Sequence, residues 1–242
     1  MENIKKENEK FLLECERWWI FALMICTAGF FGGYTYNVRG GVFCNAQTAN
    51  FVLFALSLGN GDMTKALYYL IPMAAYLLGA VISELLPKKV NRILPLRWDT
   101  VFILFEIVMV VIIGFIPASA PVGICHVLIN FICSMQYNTF RNAENIPAAT
   151  TFCTAHTRSL GVYLVKWLSH TEEKSFLKRW LFHAGMITSF TLGAFLGTVC
   201  CRFAGTKAIW FSGIFLITAF ADLLHADLTK EKHMRNVVPD GH

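Results

Sequence analysis

Two short polar stretches hold the residue types from which a binding site could be built. The first is Arg39-Gly40-Gly41-Val42-Phe43-Cys44-Asn45-Ala46-Gln47-Thr48-Ala49-Asn50, set between long apolar runs. The second is Ala148-Ala149-Thr150-Thr151-Phe152-Cys153-Thr154-Ala155-His156-Thr157-Arg158. In each, a β-prone piece leads into side chains that can cap an apolar helix: Asn45 to Thr48 before residues 51–58, and Thr154 before the run ending at Trp167. A helix that begins inside an apolar zone turns its free N–H groups, and the positive end of its dipole, toward something polar. Two such starts meeting near a membrane midplane would favour a small anion or the carboxylate of an organic solute. Asn45, Gln47, Thr48 and Asn50 would then face Thr154, His156 and Thr157, with Arg158 as charge partner and Gln136 and Asn138 completing the binding set. The plainer reading is that these side chains cap helices and satisfy one another in a dry interior, which buried backbone groups require in any case.

Arginine at membrane depth is costly and functional by default. Arg158 is the best candidate for an anion contact, against snorkelling or pairing with Glu106; Arg39 and Arg141 stand just before the two extended pieces. Glu106 sits among Phe105, Ile107, Val108 and Met109 with no polar neighbour, so it is a proton-coupling candidate or a structural hydrogen-bonding group. His126 and His183, each near the start of a span, read as satisfied interface histidines.

Several chemistries are unsupported. The eight cysteines form no Cys-x-x-Cys pair and no His/Cys cluster with zinc spacing, so no metal and no cofactor is implied. Hydrolase, zincin and phosphate-loop signatures are absent, and the chain is not expected to be an enzyme. The net charge of +5 comes without a basic face interleaved with aromatics, so no nucleic-acid partner is expected.

The elements that must position these residues are membrane helices. The 242 residues are 55% apolar and only 15% charged, where a soluble domain carries about a quarter, and mean hydropathy is +0.51. The expected partner is thus the lipid bilayer, with self-association into a homo-oligomer left open. Residues 1–17 read as a charged amphipathic segment at the membrane surface and 226–242 as a hydrophilic tail, with no cleavable leader at the start. Apolar segments follow at about 18–36, 51–58, 66–86, 100–116, 122–140, 154–167, 181–201 and 208–224. Gly29, Gly32 and Gly33 mark the first span as a surface for close packing or a point of unwinding. The order span, polar break, extended piece, capped helix, span, span occurs twice, and Tyr76-Leu77-Leu78-Gly79-Ala80 echoes Phe190-Thr191-Leu192-Gly193-Ala194. If all eight segments cross, the loop bearing Lys88, Lys89, Arg92 and Arg97 lies opposite the basic N-terminus. If the two helices after Thr48 and Thr154 are re-entrant, six cross, all the basic loops share one side, and the halves 18–117 and 121–225 are inverted repeats.

The runs Tyr34-Thr35-Tyr36, Arg39-Gly40-Gly41-Val42-Phe43 and Asn45-Ala46-Gln47-Thr48-Ala49-Asn50 resemble the YoaK-type family of small bacterial multi-pass membrane proteins. Met135-Gln136-Tyr137-Asn138-Thr139-Phe140-Arg141 and the stretch from Ala149 to His156 resemble its second motif. The likeness covers nearly all of 18–224 and implies a bacterial inner-membrane protein of about six spans, termini cytoplasmic, without an established activity. It also implies departures: Gly32 stands where the family carries an acidic residue, and Ala49 and Ala155 where it has glycine. Losing that acid leaves the first span without the family's proton- or cation-handling group. The expectation is therefore an all-α polytopic bundle, about six spans plus two broken, re-entrant helices in a weak inverted repeat. It would act as a transporter or permease for a small anionic or carboxylate-bearing solute. The alternative is a non-transporting scaffold or stress-related partner protein, with an enzyme acting on lipid third.

Overall fold

A computed structural model describes residues 12–234, 237 and 239. Among the described residues nine α-helices carry the fold: α1 (Trp18–Val38), α2 (Gln47–Gly59), α3 (Met63–Leu85), α4 (Pro87–Ile93), α5 (Trp98–Phe115), α6 (Val122–Thr139), α7 (Thr154–Ser169), α8 (Lys174–Ala204) and α9 (Gly213–Leu228). A two-stranded ribbon, β1 (Asn142–Ala143) and β2 (Ile146–Pro147), follows α6, and a 3-10 segment, Gly205–Ser212, joins α8 to α9. All-α architecture is as the apolar periodicity requires. Among the described residues four helical stretches are long and apolar enough to cross a membrane: Trp18–Val38, Met63–Leu85, Trp98–Phe115 and the continuous Lys174–Leu228. Outward faces are apolar too, with Phe51, Ile71, Leu77, Phe195 and Phe203 exposed. That pattern suits lipid, not water.

Two helix pairs form the frame. α1 packs along α8 and α3 along α6, each pair parallel, since contacting residues advance together: Cys26 with Gly193 and Phe30 with Gly197, then Tyr68 with Gly123 and Phe131 with Gly79. α1 and α6 run antiparallel, with Phe21 against Phe140, Gln136 bonded to the Met24 carbonyl, and Gly40 beside Val122. Glycines at the crossings let backbone meet backbone. A methyl on Gly193 would overlap the Cys26 carbonyl, and one on Gly79 would come within 2.5 Å of the Phe131 carbonyl. α1 is unbroken through Val38, so of the two readings of its glycines, close packing or unwinding, it is packing that the helix uses, with Gly29 and Gly33 against the α8 backbone.

The two hairpins α2–α3 and α7–α8 attach to this frame. The turn at Gly59 to Asp62 forms where expected, Asp62 capping α3 by accepting from the Lys65 N–H at 3.0 Å. The caps expected on α2 and α7 do not form. Their N-cap residues are Ala46 and Cys153, neither with a side-chain cap bond, and the Thr157 hydroxyl turns back to the Cys153 carbonyl at 3.0 Å. The extended joints before these helices are instead held by side-chain amides. Asn45 donates to the carbonyls of Ala28 (3.3 Å) and Thr151 (3.0 Å), and Gln136 to those of Met24 (3.1 Å) and Thr150 (3.0 Å). Each amide thus bridges a carbonyl of α1 to a carbonyl of the extended joint before α7, deeper than the helix ends.

Charged knots close both ends. Arg39, 1% exposed, donates to the Tyr34 hydroxyl (2.8 Å) and to the Ile116 (2.7 Å) and Pro117 (3.2 Å) carbonyls, capping the C-terminus of α5. At the other end Arg97, also buried, donates to Asp99 at 3.2 Å and to the Met234 carbonyl at 2.9 Å, while its backbone N–H meets Asp227 at 3.0 Å. Of the lead-in expected at the membrane surface, residues 1–11 lie outside the described residues. Leu13, Glu14, Cys15 and Glu16 form a buried 3-10 turn tied to Glu231 by the Glu14 N–H at 2.6 Å. The expected hydrophilic tail likewise begins inside the fold, with Asp227 and Glu231 buried; residues 235, 236, 238 and 240–242 lie outside the described residues.

Candidate functional site

Where the two broken segments meet, an open groove of about 470 Å³ forms. Phe43, Asn45 and Ala46 line it from the joint before α2, Phe152 to Thr154 with Thr157 and Arg158 from the start of α7, and Phe190 from α8. The first turn of α7 therefore presents backbone N–H groups that no side chain caps, next to a guanidinium, while α2 contributes only its N-cap residue Ala46. Arg158 is exposed and has no acidic partner among the described residues. It does not pair with Glu106. Such a wall can hold a carboxylate by backbone N–H donors and one charge-assisted contact, with Phe43, Phe152 and Phe190 covering an apolar body.

Of the residues expected in one pocket, Asn45, Thr154 and Arg158 are brought together; the rest are dispersed. Thr48 is exposed on the outer side of α2 and does not line the groove. Gln47 donates to Asn130 on α6, and Asn50 to Gln47 at 3.3 Å, so this pair ties α2 to the frame. Gln136 is fully buried and holds the joint, its Oε1 unpartnered among the described residues. Asn138 lies in a separate cleft of about 450 Å³ with Tyr137, Arg141 and Ala149. There it donates to Ser83 (3.0 Å) and Glu84 (3.2 Å), and Arg141 reaches Glu84 at 2.6 Å. His156 does not line the groove: its Nε2 meets the Ala149 carbonyl at 2.7 Å and its Nδ1 meets Nδ1 of His183 at 2.9 Å. Glu106 is buried on α5 with neither oxygen hydrogen-bonded among the described residues.

Sequence reasoning missed three participants. Asn130 belongs to a polar stripe, His126, Asn130 and Ser134, at four-residue spacing on α6, and that stripe was a usable signal. His183 had none, because its partner lies across a hairpin loop. Phe190 is indistinguishable in sequence from any lipid-facing phenylalanine. His126 is satisfied as expected, donating to the Arg39 carbonyl at 2.5 Å and accepting from the Tyr68 hydroxyl at 3.1 Å. Among the described residues no group of three His, Cys, Asp or Glu side chains is placed to hold a metal.

Residues 20–221 match the family described as "protein of unknown function (DUF1275)". No curated protein and no solved structure matches the chain.

Proposed function

The chain belongs to the DUF1275 family, and from that premise we propose that it is a small-solute permease, taking an anionic or carboxylate-bearing solute in the groove between the joint before α2 and the first turn of α7. One observation carries the reading: the uncapped start of α7, the Asn45 amide and Arg158, which has no acidic partner among the described residues, converge on a single open cleft. Six crossings are the topology of this reading, with α2 and α7 re-entrant from opposite faces. At 13 and 16 residues these helices are about 20 and 24 Å long, short of the ~30 Å hydrocarbon layer. The antiparallel course of α1 and α6 supports six, since eight crossings would make that pair parallel. The exchange of partners between halves, α1 with α8 and α6 with α3, supports an inverted repeat. Glu106 remains the proton-coupling candidate of the same reading.

The test is a thermal-shift screen of the detergent-purified protein against inorganic anions, amino acids and organic acids, followed by uptake into proteoliposomes. Stabilisation by a carboxylate is expected, lost in Arg158→Gln and weakened in Asn45→Ala, but kept in Thr48→Ala. If every shift survives Arg158→Gln, the groove is not the site. If nothing shifts and nothing is taken up, the scaffold reading replaces this one.

A further inference from the structure

The pair His156–His183 is built by a hairpin and used by nothing described so far. Its hydrogen bonds leave little freedom in where the protons sit. A carbonyl only accepts, so His156 Nε2, 2.7 Å from the Ala149 oxygen, carries a hydrogen. In the neutral ring Nδ1 of His156 is then a bare acceptor, and the 2.9 Å contact requires His183 to donate from its own Nδ1. The Nε2 of His183 is left without a hydrogen.

One added proton fits this arrangement unchanged. Placed on His183 Nε2, it makes an imidazolium that keeps its Nδ1 donor to His156, and the contact becomes charge-assisted. The charge lands on His183 because its Nε2 is the one nitrogen of the pair with neither a hydrogen nor a donor; the ring lies parallel to Tyr163, 5.7 Å between centroids and 10° between planes, and shares it with the Lys166 and Arg179 cations. A second added proton does not fit. Both Nδ1 atoms would then carry hydrogens and face each other donor to donor at 2.9 Å, so the pair must open.

We propose that His156 and His183 form a proton-binding site that holds one added proton in place and is broken by a second, which frees the first turn of α7 from α8. The opening also releases the Ala149 carbonyl, four residues before Cys153 at the groove, so the two sites share one segment. The surrounding groups are accounted for. From α7 come Tyr163 and Lys166, the latter over the Tyr163 ring at 5.5 Å, and Cys153 stands at the helix start. From α8 comes Arg179, donating to the Tyr163 hydroxyl at 2.9 Å, and Lys178, paired at 2.7 Å with Glu144 of the ribbon turn. α1, on the other side of α8, contributes Cys26 beside Gly193, Tyr34, Tyr36 and, at its start, Arg17. No carboxylate among these touches either imidazole, so the proton count belongs to the two rings alone.

The inference does not depend on the permease reading, because its test needs no solute. Imidazole ¹⁵N spectra of the full chain in detergent, followed from pH 8 to pH 4, report the protonation of each histidine. Expected in the wild type are two coupled steps separated by more than about one pH unit, with the Nδ1–Nδ1 contact surviving the first and lost in the second. His156→Gln and His183→Asn each preserve a donor and an acceptor in the neutral arrangement. In each variant the remaining histidine is expected to titrate in a single uncoupled step. Two independent steps at nearly the same pH in the wild type, with each variant leaving the other ring's titration unchanged, would overturn the proposal. Should neither variant fold, the separation of steps in the wild type decides alone.

Discussion

Buried charge is handled at the residue scale in two ways. Arg39 meets no carboxylate among the described residues; its guanidinium is neutralised by the negative end of α5, through the Ile116 and Pro117 carbonyls. Arg39→Met keeps the apolar stem but strands those carbonyls and the Tyr34 hydroxyl. We expect a loss of about 3 kcal/mol, read as a lowered thermal midpoint, because hydrogen bonds to charged donors contribute about 1.5–3 kcal/mol each and the orphaned acceptors add a penalty. Arg97 is the opposite case, a guanidinium among carboxylates. Its pKa rises, with burial pulling it down and Asp99, Cys15, Glu231 and Asp227 pushing it further up. Burial lifts the Glu231 carboxyl above its ordinary 4.5, and the Glu14 N–H and Arg97 recover only part of that. The native state therefore binds this proton more readily than the unfolded chain does. The stabilisation is complete below about pH 4.5 and is lost as pH rises through the native value. Glu231→Gln retains an acceptor for Glu14 and is expected to flatten the stability profile over that interval, measured by thermal midpoint against pH.

Elements were largely readable, and their use was not. The eight apolar runs and the Gly59–Asp62 turn are visible because span length and turn chemistry are local properties. The fate of Asn45, Gln47 and Thr48 was not, since an amide near a helix start can serve that helix or an acceptor on another segment, and only the assembled bundle shows which acceptor lies within reach. Glycine had the same ambiguity: Gly29 and Gly33 fit a kink or a crossing equally well in sequence. Their role at the crossing makes a prediction at this scale. Gly193→Ala forces its methyl into the Cys26 carbonyl, so the α1–α8 pair must separate. A destabilisation of about 1–3 kcal/mol or more is expected, whereas Gly185→Ala on the same helix, where a methyl meets nothing within 4 Å, is expected to be neutral or mildly stabilising.

At the scale of the molecule, the charged loops gather at one end. The 3-10 turn before α1, the segment of α4, and the residues after α9 meet around Arg97, while Arg39, Pro117 and Thr206 meet at the other end. Cysteine labelling reads this out: with six crossings, Ser119→Cys is expected to react with an impermeant maleimide from outside the cell and Lys89→Cys only after permeabilisation. The reverse pattern would restore eight crossings. Topology was legible as a choice between two counts because positive charge marks a side; the relative direction of α1 and α6, which the proposed six crossings use, is a property of the assembled bundle and not of any one segment.

The swapped helix pairing has a consequence in time. α1 leaves the ribosome first, yet the helix it packs along, α8, centres on Gly193, about 155 residues later. At a synthesis rate of about 5–20 residues per second, α1 waits roughly ten to thirty seconds in the bilayer with its glycine face bare. During that interval α3 gains α6, and α1 touches α6 through Phe21–Phe140 and Gln136–Met24, but nothing yet covers its glycine face. A nascent chain stalled after α6 is thus half-paired by construction, and whatever shelters a small-residue helix face in the membrane acts on this protein before it is finished.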